Sequence, residues 1–133
     1  MQVFKTKVFR RFQRKEGIKE AALCAAIERA ESGLIDADLG RGLIKQRVAR
    51  EGRGRRGGFR TVIAYRVGMR AVFVFGFAKS GQDTIVSDDE RDLASYGAML
   101  IGLTAKGSEA MIADSELWKV ECDGKNKVSQ RNR

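Results

Sequence analysis

Hydrophobic and polar residues alternate in some stretches of the chain and recur at helical spacing in others. Residues 2 to 9 alternate with period two, which predicts a short strand at a sheet edge, followed by a basic cluster at residues 10 to 15. Between Ile18 and Ala30 the apolar residues recur every three or four positions, and Ser32-Gly33 ends the pattern. We therefore expect an alanine-rich amphipathic helix that packs on a sheet.

Three strands are predicted in the middle of the chain. Residues 43 to 49 and 59 to 66 alternate with period two, and the second stretch is rich in β-branched and aromatic residues. Residues 71 to 78 are apolar at both odd and even positions, so both faces of the strand they predict are apolar. This is expected of a strand covered on both sides, and we place it at the centre of the sheet. Residues 67 to 69 are short enough to close an antiparallel hairpin, whereas turn formers in residues 34 to 40 indicate a connection.

The last third of the chain predicts a second helix. Ser87 and Glu90 fit a capping box, and the apolar stripe that follows runs to Leu103. Residues 107 to 122 are expected to add a short helical turn and an extended piece, and residues 124 to 133 have the composition of a disordered basic tail. The sequence thus predicts an α+β fold in one domain, residues 1–123. An N-terminal helix packs on a mainly antiparallel sheet of about four strands, and a helix follows the sheet.

The charge of the chain is unevenly distributed. The formal net charge is +9, and residues 41 to 79 hold eleven lysines and arginines against one acid, Glu51. Residues 81 to 123 instead hold ten acids and three bases. Such imbalance favours a polyanionic partner, nucleic acid above all, with a merely solvated basic surface as the alternative.

Some of these cations share a strand face. Period-two geometry places Lys45 and Arg47 on one face of their strand, and Arg60 and Arg66 on one face of the next strand. Between the two strands, residues 50 to 58 (REGRGRRGG) predict a mobile loop in which glycine gives backbone freedom and arginine gives donors for phosphate. A solvated hairpin loop is the alternative.

Several kinds of chemistry are excluded or disfavoured. The chain has no histidine, which excludes a histidine acid/base pair, a histidine-dependent triad and imidazole metal sites. Cys24 and Cys122 form no CxxC pair, which argues against zinc, and we expect both thiols to be reduced, with Cys24 packed in a helix. Asp36 and Asp38 lack further acidic ligands nearby, so we expect no metal and no other cofactor. No apolar run approaches the about 20 residues that span a bilayer, and the start lacks a secretory signal, so we expect a cytoplasmic protein with no membrane partner.

The segments LIKQRVAREGRGRRGGFRTVIAY and AVFVFGFAKSGQDTI, in this order, carry a resemblance to a known family. The chain resembles the RelE/ParE superfamily of bacterial toxins, particularly the RelE-like branch with a glycine-rich basic hairpin, from Phe4 to about Leu103. The resemblance implies a compact RelE-like toxin fold and neutralisation by a cognate antitoxin protein. It also implies ribosome-dependent, metal-independent cleavage of mRNA through attack by the RNA's own 2'-OH.

The family pattern suggests roles for particular residues. By position it implies Lys45 as general base, Arg60 as stabiliser of the phosphate in the transition state, and Arg47 as substrate clamp. Residues expected to contact the RNA backbone are Arg50, Arg53, Arg55, Arg56, Arg66 and Lys79.

The chain departs from the pattern after GFAK. Ribosome-dependent members carry an arginine and then a tyrosine there, whereas this chain has SGQD at residues 80 to 83. Tyr65 and Tyr96 are the candidates to replace the tyrosine, although helix packing explains Tyr96 better. The departure leaves two other functions open: inhibition of DNA gyrase, as in the ParE branch, and a non-catalytic module that binds antitoxin or nucleic acid.

Overall fold

The protein is built on a mixed sheet with helices packed against both faces. A computed structural model describes the backbone at residues 1–50, 54–77 and 87–122, and the side chains of these residues except at 50, 54–57 and 87–91. The elements are β1 (Gln2–Thr6), α1 (Lys7–Glu16), α2 (Glu20–Glu31), β2 (Ala37–Gly40), β3 (Leu43–Arg50), β4 (Gly54–Arg66), β5 (Arg70–Phe77), α3 (Ser87–Ile101), α4 (Ala105–Ala113) and β6 (Leu117–Lys119). Within this part of the chain the strand order is β2-β3-β4-β5-β1-β6.

The α+β prediction is confirmed, with differences in the sheet. β3, β4 and β5 pair antiparallel, the turn at residues 67 to 69 joins β4 to β5, and β5 lies inside the sheet as expected. Six strands are present among the described residues instead of about four, because residues 37 to 40 and 117 to 119 also pair. The connection predicted over residues 34 to 40 is therefore wrong for its second half.

The N-terminal segment differs most from its prediction. β1 is an inner strand, parallel to β5 and antiparallel to β6, so the predicted edge position is wrong. The strand ends at Thr6, whose hydroxyl accepts a hydrogen bond from the Phe9 N–H at 3.1 Å and caps α1. Phe9 and Gln13 are buried whereas Arg11, midway between them, is exposed, which fits one face of a helix and not the alternation of a strand. The period-two pattern holds for residues 2 to 6 only.

Alternating residues of the central strands divide between two cores. One core, under α1 and α2, contains Ile44, Val48, Phe59 and Ile63. The other, under α3 and α4, contains Leu43, Val62, Ala64, Val72 and Phe77. We call these the α1/α2 face and the α3/α4 face of the sheet. α3 lies close to its face at Gly97, where a Cβ atom would be 3.0 Å from the Leu43 side chain.

Arg70 belongs to the fold and not to the basic surface that the charge pattern suggests. It is 9% exposed, and its guanidinium donates to the carbonyl oxygens of Leu100 at 3.0 Å and Leu103 at 2.9 Å, and to the Gln2 side chain at 2.7 Å. These carbonyls lie at the C-terminal end of α3, where backbone acceptors have no partner within the helix and the helix dipole favours a cation. Arg70 thus fixes the end of α3 on the sheet.

Cys24 and Cys122 form a disulfide, so the expectation of reduced thiols is wrong in this structure. Their separation of 98 residues in sequence gives no sign of proximity. β6 runs along β1, and the Val120 N–H donates to the Val3 carbonyl at 2.8 Å, which brings the following residues beside α2. The prediction that Cys24 packs in a helix is confirmed.

α3 begins at Ser87, as the capping box predicts, but the capping side chains lie outside the described residues, as does the predicted tail at 124–133. None of the helices in the described ranges is long and apolar enough to cross a bilayer.

Candidate nucleic-acid site

The three candidate catalytic residues lie together on the α3/α4 face. The strand register places Arg47 directly opposite Arg60, and Arg60 directly opposite Phe77. In the next row Lys45 lies opposite Val62. The three cations predicted from the sequence are therefore brought together by β3 and β4, in two adjacent rows of one sheet face.

The three side chains differ in exposure. Arg47 is exposed, whereas Lys45 and Arg60 are partly buried. The Lys45 amine lies 5.9 Å from the centroid of the Phe77 ring, within the range of a cation–π attraction. Phe77 itself is 7% exposed, so its ring forms part of the floor beneath the cations.

The backbone of Arg47 is held by an ion pair. Its N–H donates to an Asp36 carboxylate oxygen at 2.7 Å, and its carbonyl accepts from the Arg29 guanidinium at 3.0 Å. Arg29 and Asp36 bind each other at 3.1 Å. β2 pairs with β3 only as far as Lys45, so these two side chains satisfy the backbone groups of β3 beyond the end of β2.

The neighbouring Gln46 fixes the segment that carries Asp36. This side chain is 1% exposed on the α1/α2 face. Its amide nitrogen donates to the Ala26 carbonyl at 3.0 Å and the Leu34 carbonyl at 3.2 Å, and its oxygen accepts from the Asp36 N–H at 2.7 Å. A buried amide with all these partners is a rigid support, because breaking any one bond leaves a polar group unsatisfied.

Arg66 is not part of this group. It lies on the same face as Arg60 and is exposed, but six residues further along β4, which is about 20 Å at strand rise. It pairs in register with Arg70 at the opposite end of β5 from Phe77.

The arginine-rich segment is only partly described. Residues 54 to 58 belong to β4, so the loop predicted over residues 50 to 58 is wrong there. A Cβ atom at Gly58 would lie 2.0 Å from the Val48 carbonyl oxygen, so only glycine permits the close pairing beside the register shift between Val48 and Arg50. Arg53 and Lys79, and the side chains of Arg50, Arg55 and Arg56, lie outside the described residues and remain predicted RNA contacts.

Tyr65, one of the two candidate tyrosines, does not join the cations. Tyr65 lies on the α1/α2 face, 8% exposed, and its hydroxyl donates to the Glu31 carboxylate at 2.5 Å. Burial first, and then the contact with Glu31, raise the pKa of Tyr65. Tyr96 is 37% exposed on α3, and burial and the Glu116 charge raise its pKa. The sheet itself separates Tyr65 from Lys45, so it cannot replace the missing tyrosine.

This arrangement suits a phosphate group. Arg47 and Arg60 lie directly opposite each other, and two guanidinium groups on one face can bind the oxygens of a phosphate through their forked donors. The described part of the chain holds no group of three side chains that could bind a metal ion. Sequence reasoning missed Phe77 and the support from Asp36, Arg29 and Gln46. In the sequence Asp36 was visible only as a turn former and as a disfavoured metal ligand. The register shift between Val62 and Ile63, which sets the facing of Phe77, leaves no mark in the pattern.

The chain was compared with known protein families and with curated proteins. A family model described as the RelE toxin of the RelE/RelB toxin-antitoxin system matches residues 1–120. A comparison with curated protein sequences gave no match.

Proposed function

The chain belongs to the RelE toxin family of toxin-antitoxin systems, with an antitoxin as partner, and we propose that it arrests translation by cleaving mRNA on the ribosome. The observation that supports this best is the row formed by Arg47, Arg60 and Phe77, with Lys45 in the next row over the same ring. This arrangement supports the proposed roles of clamp, stabiliser and base, because the three side chains lie in two adjacent rows of one sheet face.

The proposed reaction uses the 2'-OH of the RNA as nucleophile. The Lys45 amine takes the proton of the 2'-OH, a bond forms between that oxygen and phosphorus, and the bond from phosphorus to the 5'-oxygen breaks. Arg60 stabilises the charge that develops on the phosphate oxygens, and Arg47 holds the phosphate. The leaving 5'-oxygen takes up a proton from water, and the products are a 2',3'-cyclic phosphate and a 5'-hydroxyl.

The sheet contributes to this chemistry beyond placing charge. A rigid strand pair holds catalytic groups more closely than a loop does, and positioning accounts for a large part of rate enhancement. The Phe77 ring lies beneath the Lys45 amine and limits the directions from which that amine can be approached. The substrate is translated mRNA, so the proposed place of action is the cytoplasm.

The test is mapping of transcript ends by primer extension after brief expression. Cuts confined to translated codons, with 2',3'-cyclic phosphate ends, are expected for the wild type. Lys45→Ala and Arg60→Ala should each reduce cutting by at least about a hundredfold, in line with loss of a general base or a transition-state donor. Exposed lysines outside the site give the matched controls, Lys106→Ala and Lys119→Ala, which should cut as wild type.

Two outcomes would overturn the proposal. Intact mRNA together with DNA-damage signalling would indicate inhibition of DNA gyrase instead. Full cutting by folded Lys45→Ala and Arg60→Ala proteins would show that the site lies elsewhere.

A further inference from the structure

A second basic surface lies on α1. Its ten residues contain five cations and one acid, and by 3.6-residue periodicity the cations fall within an arc of about 140°. Phe9 and Gln13 occupy the opposite, buried side. The members of this surface, which we call the α1 basic face, are Lys7, Arg10, Arg11, Arg14 and Lys15.

The charges of this face are not neutralised within the described part of the protein. Lys7, Arg11, Arg14 and Lys15 are exposed, and none of them forms an ion pair with a described residue. The nearby carboxylate of Glu20 accepts instead from Lys5 at 2.6 Å and Gln13 at 2.9 Å. Like charges four residues apart on a helix repel, so this arrangement lowers helix stability and calls for another explanation.

One member of the face, Arg10, packs against an aromatic side chain of the protein. Its guanidinium lies 4.5 Å from the centroid of a Trp118 ring, and Trp118 is on the edge strand β6. A cation held over an aromatic ring keeps its charge and its donors. The contact with Trp118 fixes the position of the Arg10 guanidinium, at the edge of the α1 basic face that lies beside β6.

The α1 basic face lies on the other side of the sheet from the candidate site. Phe9 packs on Phe73 with ring centroids 5.0 Å apart, and Phe12 packs on Phe59 at 5.6 Å. These belong to the α1/α2 face, whereas Arg60 lies on the α3/α4 face. The two cationic surfaces point away from each other, so each requires its own segment of polyanion.

We propose that the α1 basic face binds the phosphate backbone of double-stranded RNA. Val8 is the one large apolar residue of α1 that is exposed, so the face lacks the apolar centre that protein interfaces have. Arginine forks match phosphate, and the cations extend over about 12 Å of helix. Duplex RNA is recognised mainly through its shape and backbone, which a charged helix can contact without reading bases. This proposal rests on the proposed function in one respect. A toxin that acts on the ribosome meets folded RNA beside the mRNA, and the α1 basic face would bind that RNA.

The experiment measures binding of the purified full-length protein to a 24-base-pair RNA hairpin by fluorescence anisotropy, over a series of salt concentrations. Arg11→Gln/Arg14→Gln is compared with Lys106→Gln/Lys119→Gln, which removes the same charge from exposed positions elsewhere. The first variant should bind about tenfold more weakly, and the slope of log affinity against log salt should fall by about two. The second variant should bind as wild type, and Arg11→Lys/Arg14→Lys should retain most of the affinity.

Equal losses in the two glutamine variants would mean that binding reflects only net charge, and would overturn the proposal. So would wild-type binding by Arg11→Gln/Arg14→Gln. Poly-L-glutamate that competes as well as the hairpin, with the same dependence on Arg11 and Arg14, would assign the face to an acidic protein. Failure of mRNA cleavage with intact hairpin binding would count against the proposed function alone.

Discussion

The backbone N–H of Arg47 donates to the Asp36 carboxylate at 2.7 Å, two residues beyond the last pairing of β2 with β3. The same carboxylate binds Arg29, which in turn donates to the Arg47 carbonyl. The side chains of Arg29 and Asp36 thus continue the hydrogen-bond ladder that β2 leaves unfinished. Because Arg47 lies opposite Arg60, this ladder also sets the position of the proposed phosphate clamp.

Replacing Asp36 should therefore impair the clamp without touching RNA directly. Asp36→Ala is expected to lower stability by about 1–3 kcal/mol, since the Arg47 N–H and Arg29 both lose their acceptor. If the proposed function holds, KM for a model mRNA on ribosomes should rise more than kcat falls. Asp38→Ala is the control, because Asp38 is exposed on the edge strand β2 and its carboxylate accepts, among the described residues, only from the Gly40 N–H at 2.8 Å. Equal kinetics for the two variants would contradict a positioning role.

Arg70 should prove to be a stability residue. Arg70→Leu leaves the carbonyls of Leu100 and Leu103 without their donor, so we expect unfolding free energy to fall by about 2–4 kcal/mol in urea titrations. Arg66→Ala, at the exposed residue paired with Arg70 in register, should change stability by less than about 0.5 kcal/mol. A stable Arg70→Leu protein would show that the end of α3 is held by other contacts.

The sequence predicted the central part of the fold because the relevant signals there are local. Alternation along residues 43 to 49 and 59 to 66 gave both the strands and the shared face of Lys45, Arg47 and Arg60. It did not separate Arg70 from the other arginines, because a buried helix cap and a solvent-exposed cation look alike in a list of residues. Long-range pairing was likewise invisible: nothing local in residues 2 to 6 shows that β1 enters the sheet beside β5.

Helix α1 was missed for a related reason. Residues 7 to 9 continue an apparent alternation, and only the Thr6 cap and the burial of Phe9 and Gln13 establish where the strand ends. The pattern allowed Val8 and Phe9 to lie either at the end of a strand or at the start of a helix. Tertiary packing places them in the helix. The support for Arg47 could not be predicted at all, because Asp36 reaches it only after β2 and β3 pair.

Reducing the disulfide should loosen the C-terminal segment. A bridge across 98 residues restricts the unfolded chain strongly, so Cys24→Ser/Cys122→Ser is expected to lower stability by about 2–5 kcal/mol. Dithiothreitol should shift the melting temperature of the wild type to that of the double variant and leave the variant unchanged. In a reducing compartment the pair is expected to be at least partly open, which mass spectrometry after rapid alkylation measures. Two free thiols in the freshly purified, oxidised protein would contradict the bridge.

Tyr65 should matter for alkaline stability and not for toxicity. Its pKa is raised in the fold, because burial and the Glu31 carboxylate disfavour the phenolate. Below about pH 10 the phenol is protonated in both the folded and unfolded chains; above it the unfolded chain binds fewer protons, and stability falls as pH rises. The difference in unfolding free energy between wild type and Tyr65→Phe should therefore be constant from pH 7 to 9 and change above pH 10.

Tyr65→Phe should also remain toxic, since the sheet separates the phenol from Lys45. Loss of toxicity in a folded Tyr65→Phe protein would place the tyrosine in the mechanism after all.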